Sequence, residues 1–200
     1  MADIIYTLAG KPYLNITNQC PCACTFCIRE RHGSVGDAGS LWHQTDPTWH
    51  QIEQALAAFD FSRADEAVFC GYGEPFAQLE NLKRTAQWLK THYPKLKLRV
   101  NTNGLGDLIH NRPTAQELKG LVDALSISLN APNAQRYAAL CQPVYGEKSF
   151  DAMLSFAAQA KAFCPEVVLS VVAVVTPEEI EQCRAIAARL DLPLRVRALD

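Results

Sequence analysis

Six short apolar runs alternate with stretches of helical periodicity along this chain, and that alternation restricts the fold more than any other feature. It is the pattern of βα units laid on a parallel sheet. The runs are Tyr13 to Thr17, Glu66 to Cys70, Leu96 to Asn101, Ala124 to Leu129, Val167 to Val174 and Leu194 to Ala198. The first runs straight into a cluster of cysteines. A helix is expected from Pro47, with Asp46 as its cap and Trp49, Ile52, Leu56 and Phe59 on one face. Others follow through Leu79, Leu82, Ala86 and Leu89, from the capping box Thr114-x-x-Glu117, from Asn133, and over Ser149 to Phe163. A second capping box, Thr176-x-x-Glu179 with Pro177 at the first helical position, starts the helix of Ile180, Cys183, Ala187 and Leu190. Six repeats are two short of a closed eight-stranded barrel, so the sheet must stay open. The expected fold is α/β, an open partial (βα)6 TIM-type barrel on a parallel sheet, with a doubly wound sheet as the alternative. Both put a ligand site at the carboxyl ends of the strands.

A chain of 200 residues buries about 70% of its extended surface on folding, enough for one large core. No linker, repeat or low-complexity stretch divides it, so residues 1–200 read as a single domain. With 48% hydrophobic and 20% charged residues the composition excludes disorder, collagen and coiled coil. The longest apolar run, Val167 to Val175, is far shorter than the roughly 20 residues that span a bilayer, and no membrane partner is expected. The formal charge of -2 gives no global polyanion footprint, although a local basic patch leaves a nucleic-acid partner open. Met1 to Cys20 lacks a basic stretch followed by an apolar one, which is the pattern of a cytoplasmic protein rather than an exported one.

Eight cysteines in a reducing compartment are not a disulfide framework. Cys164 and Cys183 fall on helical patterns and read as small buried apolar residues. Cys20, Cys24 and Cys27 instead form Cys-x3-Cys-x2-Cys at the end of the first strand. Thiolates select zinc or iron-sulfur clusters. Structural zinc takes four closed ligands, usually from two separated pairs, and no second pair occurs downstream. A 4Fe-4S cube held by three cysteines leaves one iron open for a substrate or cofactor. The alternative is a non-catalytic electron-transfer or metal-binding module closed by all four clustered cysteines, Cys22 included.

Cys20-x3-Cys24-x2-Cys27, with Phe26 before the last cysteine, resembles the signature of the radical S-adenosylmethionine (radical SAM) superfamily. The other landmarks follow in order, each at a strand end. Gly71-Tyr72-Gly73-Glu74-Pro75 resembles the Gly-Gly-Glu-Pro motif that receives the methionyl ammonium, with Tyr72 in place of a glycine. Thr102-Asn103-Gly104 resembles the ribose-side motif, and Ser126-Ile127-Ser128-Leu129-Asn130 the segment that reaches the ribose or the methionyl carboxylate. Val171 to Val174 corresponds to the strand near the adenine. The combination of Cys-Pro-Cys-x-Cys-x-Phe-Cys-Ile-Arg, Ser-Leu-Asn-Ala-Pro-Asn and Leu-Cys-x-Pro is similar to the TatD-associated subgroup.

The resemblance implies an enzyme with a 4Fe-4S cluster and S-adenosylmethionine as cofactors, fed by an external one-electron reductant such as flavodoxin or ferredoxin. It would generate a 5'-deoxyadenosyl radical that abstracts hydrogen from an unidentified substrate, a protein or RNA segment or a small heterocycle. Cys20, Cys24 and Cys27 would be the metal ligands; Phe26, Gly73, Glu74, Asn103, Ser128 and Asn130 would line the cofactor. Cys22 is expected not to ligate, since a fourth thiolate would close the open iron. Cys141, in Leu140-Cys141-Gln142-Pro143, reads equally as a structural residue and as a candidate catalytic thiol at the mouth of the site, while Cys70, at its strand end beside the same cavity, reads first as structural. Glu74-Pro75 and Asn103-Gly104 are also ordinary turn sequences, and Ser128 and Asn130 are equally compatible with buried hydrogen bonding. The segment Ile28 to His32 reads either as a solvated loop or, through Arg29 and Arg31, as an anion contact. The glycine-rich stretch Gly33 to Ser40 reads as a solvated connection or a lid.

Overall fold

The computed structural model describes residues 2–30 and 35–199. Among them seven strands form one open sheet whose spatial order is the chain order: β1 (Ile5–Leu8), β2 (Lys11–Leu14), β3 (Glu66–Phe69), β4 (Lys97–Thr102), β5 (Ala124–Ser128), β6 (Glu166–Val172) and β7 (Leu194–Arg197). Every neighbouring pair from β2 to β7 is parallel. The first pair is an antiparallel hairpin, so the six expected strands are joined by one more. Its two-residue turn places both Ala9 and Gly10 at positive φ, 50° and 77°. That is the backbone hand a tight hairpin requires. Ala9-Gly10 lacks the Asn or Asp that usually marks such a turn, which is why the sequence hides β1.

A doubly wound sheet needs a point where strand order reverses. There is none here, so the right-handed crossovers place their helices on one face. That face is the core. Leu14, Ala67, Phe69, Leu98, Val100, Leu125, Ile127, Leu169 and Val171 alternate into it from the strands. Against them pack Ile52 and Leu56 of α1 (Trp49–Ala58), Leu82, Ala86 and Leu89 of α2 (Leu79–His92), and, beyond α3 (Gly106–His110) and α4 (Ala134–Cys141), Met153, Phe156 and Ala157 of α5 (Lys148–Lys161) and Ile186 of α6 (Pro177–Arg189). Phe76 meets Phe156 edge to face at 5.1 Å, the arrangement the ring quadrupoles favour. The opposite face is polar: Arg99, Asn101, Ser126 and Ser128 point into an open cavity of about 410 Å³ at the carboxyl ends of the strands.

Two expected caps are corrected. The first helix starts at Trp49, not Pro47, and its cap is Thr48 in a reciprocal box with Gln51. Asp46 is thereby free to accept from Thr17, Asn18, Gln19 and Gln78. Thr114 caps nothing, because its N–H and hydroxyl both donate to Asp107, and only a short 3-10 turn, Ala115–Leu118, follows. Thr176 and Glu179 do form the reciprocal box, with Pro177 in the first turn, and Asn133 caps α4 by accepting from the Arg136 N–H. Thr176→Ala is expected to cost about 1 kcal/mol, a drop of about 2–4 °C in Tm. An unchanged melting curve would show that the box contributes nothing.

Candidate functional site

The segment that leaves β2 is fixed before it reaches the first cysteine. Asn15 is fully buried; its amide donates to the carbonyls of Asp3 and Leu41, and its Oδ1 accepts from the Tyr72 N–H. Beyond Ile16, Asp46 binds three residues in a row, Thr17 through its hydroxyl, Asn18 through its N–H and Gln19 through its amide. Burial raises the Asp46 carboxyl, but these donors outweigh it and hold the group below the usual carboxylate range. The loop after β3 closes on the same segment, with the Glu74 N–H donating to the Gln19 carbonyl at 2.7 Å. Gly73 makes that approach possible. A Cβ there would lie 2.3 Å from the Thr17 oxygen and 2.8 Å from the Gln19 oxygen. On the far side the cysteine loop docks on the end of α4: Ala23 donates to Cys141, Thr25 to Leu140, and Val144 to Pro21.

This scaffold brings Cys20, Cys22, Cys24, Cys27, Cys70 and Cys141 to the wall of one cavity. Cys20, Cys22, Cys24 and Cys141 are close enough to perturb one another's proton affinity. Cys22, placed between Cys20 and Cys24, has its own proton loss pushed far up and lowers that of Cys20. Cys24 is held below the ordinary thiol range first by Cys141 and Cys22, with help from the Arg29 charge against its burial. Cys27 is raised by burial, opposed by Arg29. Cys22, only 5% exposed, therefore sits inside the thiol cluster. Cys141 lies not at the mouth of the site but buried at 1% exposure beside Cys24. Among the described residues no three His, Cys, Asp or Glu side chains are arranged around a single metal ion.

Glu74 is 4% exposed. Its Oε1 accepts from the Phe76 N–H and the Thr102 hydroxyl, and its Oε2 from the Asn103 N–H at 2.7 Å. The carboxylate thus ties the ends of β3 and β4 together, leaving about one of its four acceptor positions for anything else. Burial raises it from 4.5 to about 7, against those three donors. Because the folded value lies above the unfolded one, the chain loses stability as pH rises from 4.5 towards about 7. The Asn103 side chain is aimed at sulfur: Nδ2 lies 3.7 Å from Cys22 Sγ and 3.9 Å from Cys20 Sγ, while Oδ1 accepts from the Leu105 N–H. Asn130, at φ 54° and 4% exposed, donates to Cys141 Sγ at 3.8 Å. Its Oδ1 is buried without a partner. Phe26, Gly73 and Ser128 line the same cavity.

The family model "Radical SAM superfamily" matches residues 14–190. The chain belongs to the radical SAM superfamily. Two solved structures share its fold, both of Streptococcus suis SuiB. The one bound to precursor peptide SuiA aligns at TM-score 0.63 and 14% identity over 92% of this chain and 38% of that one. The one bound to S-adenosylmethionine aligns at 0.59 and 14% over 94% and 38%. This chain therefore spans well under half the length of SuiB. A radical SAM methyltransferase from Sphaerobacter thermophilus aligns at 0.49 and 18% over 97% of this chain and 68% of its own. No curated protein matches the sequence.

The side chains fit the groups that the radical SAM family implies. Soft, partly deprotonated thiols suit an iron-sulfur cluster, and the unpartnered Asn130 Oδ1 is an acceptor aimed at the cavity. Arg31, His32, Gly33 and Ser34 lie outside the described residues. The rest of the glycine-rich stretch is docked, since Asp37 exchanges hydrogen bonds with Thr7 and Gly39 donates to Asp3. Tyr72, which replaces a motif glycine, is buried against Leu41 and meets Trp42 at 5.0 Å. The positioning residues that the sequence hides are Asn15 and Asp46, whose partners lie 12–57 and 27–32 residues away. Gly73→Ala is expected to destabilise the fold by about 1–3 kcal/mol, because the added methyl meets backbone that has no room to yield. Differential scanning calorimetry reads this directly, and iron content after anoxic reconstitution should fall with it.

Proposed function

We propose that this chain is a radical SAM enzyme that reductively cleaves S-adenosylmethionine at a 4Fe-4S cluster, drawing its electron from an external reductant such as flavodoxin or ferredoxin. The observation that carries the reading is the convergence of the Cys20–Cys27 loop, Glu74 and Asn130 on one cavity at the strand ends. The open sheet is then a (βα)6 partial barrel of the TIM type, one core domain in a cytoplasmic protein. Cys-Pro-Cys, Ser-Leu-Asn-Ala-Pro-Asn and Leu-Cys-x-Pro support the TatD-associated subgroup within the superfamily.

The bound cofactors supply a one-electron cleavage of the sulfonium and a 5'-deoxyadenosyl radical. The chain supplies geometry. Cys20, Cys24 and Cys27 hold the cluster, and the low proton affinity of Cys20 and Cys24 favours thiolates for that role. Asn103 directs an N–H at the sulfurs, a contact of the kind that tunes cluster potential. Glu74 uses its spare acceptor position for the methionyl ammonium, a charge-assisted bond of about 1.5–3 kcal/mol. Phe26, Ser128 and Asn130 line the remainder, and Cys141 positions Cys24 rather than meeting substrate at the mouth.

A second reading has a specific observation behind it: Cys22 lines the same cavity as Cys20, Cys24 and Cys27, and as a fourth thiolate it would close the site as an electron carrier. Anoxic protein reduced with dithionite and given S-adenosylmethionine decides between them. Release of 5'-deoxyadenosine, with about four irons kept by Cys22→Ala and most lost by Cys24→Ala, is the expected result. A stable cluster that releases none, and that Cys22→Ala destroys, would establish the carrier. The Glu74 carboxyl, at about 7, adds a pH test. Only its ionised form attracts an ammonium, so affinity for S-adenosylmethionine should rise with pH towards about 7, by up to about tenfold per unit. Calorimetric titration of Glu74→Gln should show that slope removed.

A further inference from the structure

The polar face of the sheet holds more charge than the cofactor reading uses. Pairing register puts Tyr13, Arg99, Asn101, Ser126, Ser128, Ser170, Arg195 and Arg197 on the cavity side. Glu66 on β3 is shared by Lys11 at 2.6 Å and Arg99 at 3.3 Å. Among the described residues no ion pair takes Arg195 or Arg197. The charge of Arg197 reaches Tyr13 on β2 and Cys70 after β3, as does that of Arg99. Tyr13 of β2, Arg99 of β4 and Arg195 and Arg197 of β7 line one cavity, so these guanidinium groups face one space. Arg29, not these arginines, acts on Cys24 and Cys27, although both sets of residues line the same cavity. Two buried atoms of the same wall have no hydrogen-bond partner, Arg99 Nε and Asn101 Oδ1. A buried donor and a buried acceptor left open are costly unless a ligand pairs with them. On β4 they are two residues apart, on the same face of the strand.

We propose that this wall is the substrate subsite, and that it takes a molecule carrying a carboxylate or phosphate group. Arg197 and Arg195 hold the anion, Arg99 Nε donates to it or to a neighbouring oxygen, and Asn101 Oδ1 accepts an N–H or O–H of the same molecule. Arginine suits such a site because its planar fork matches both anions. The negative end of the cavity, with Glu74 and the thiols, and its positive wall then select opposite ends of two ligands, the cofactor ammonium and the substrate anion. The inference rests on the radical SAM reading for the word substrate, but the anion site itself does not.

Reconstituted anoxic holoenzyme with saturating S-adenosylmethionine is melted in acetate, inorganic phosphate or chloride at matched ionic strength. Acetate or phosphate at a few times its Kd should raise Tm by about 2–4 °C over chloride, and which of the two does so identifies the group. Arg195→Gln/Arg197→Gln should abolish the shift, while Arg184→Gln, a surface control paired with Glu181, should keep it. No shift in the wild type, or the same shift in the double variant, overturns the proposal. A tenfold or greater loss of S-adenosylmethionine affinity in the double variant also overturns it, by assigning the arginines to the cofactor. An anion shift without any 5'-deoxyadenosine release refutes the radical reading and leaves the anion site standing.

Discussion

The structure depends on the cysteine loop being held by main-chain hydrogen bonds on both flanks. Gln19 accepts from Glu74 on one side, and Pro21, Ala23 and Thr25 pair with Val144, Cys141 and Leu140 on the other. Loops of this kind lose conformational entropy when ordered, of the order of 1–2 kcal/mol per residue. Here that cost is met before any cofactor binds. The contacts also explain why distant parts of the sequence matter to one eight-residue stretch. Gly73 must lack a side chain so that the β3 loop can reach Gln19, and α4 must end at Cys141 so that its last carbonyls are open to Ala23 and Thr25.

Charge is distributed along the cavity with the same economy. Glu74 is buried and already serves as a clasp between two strand ends, which leaves it poised near neutrality rather than fully ionised. The thiol cluster distributes protons unequally, loading Cys22 and Cys141 while relieving Cys20 and Cys24. Two of the three cysteines of the Cys-x3-Cys-x2-Cys stretch are thereby the ones that lose their protons most readily. Arg99, Arg195 and Arg197 line the same cavity, and of its thiols it is Cys70 that the charges of Arg99 and Arg197 act on. Because the helices occupy only one face of the sheet, the other face is free to be polar without disturbing the core.

Most of the frame was legible in the chain. The parallel strands were found within a few residues because period-two burial and Val, Ile and Leu content mark them directly, and the signature cysteines were found because their spacing is local. The hairpin strand β1 was missed because Ala9-Gly10 is a poor turn signal that tertiary pairing overrides. Asp46 was assigned to a helix cap on local grounds, whereas its carboxylate serves Thr17 to Gln19. Thr114 was read as a cap because the pattern matched, but Asp107 competes for its hydroxyl. Cys141 was placed at the mouth of the site, since nothing in the sequence says that the end of α4 turns under the cysteine loop.

By itself the sequence determined the class of fold, the position of the chemistry at the strand ends and the soft donors available there, since all three follow from periodicity and local spacing. Only the tertiary structure decided that six thiols share one cavity, that Glu74 spends most of its acceptor capacity on Phe76, Thr102 and Asn103, and that Arg197 lines the same cavity as Tyr13. Each of these joins residues from different strands or helices. Such distances are set by sheet curvature and loop docking, and no local pattern encodes them.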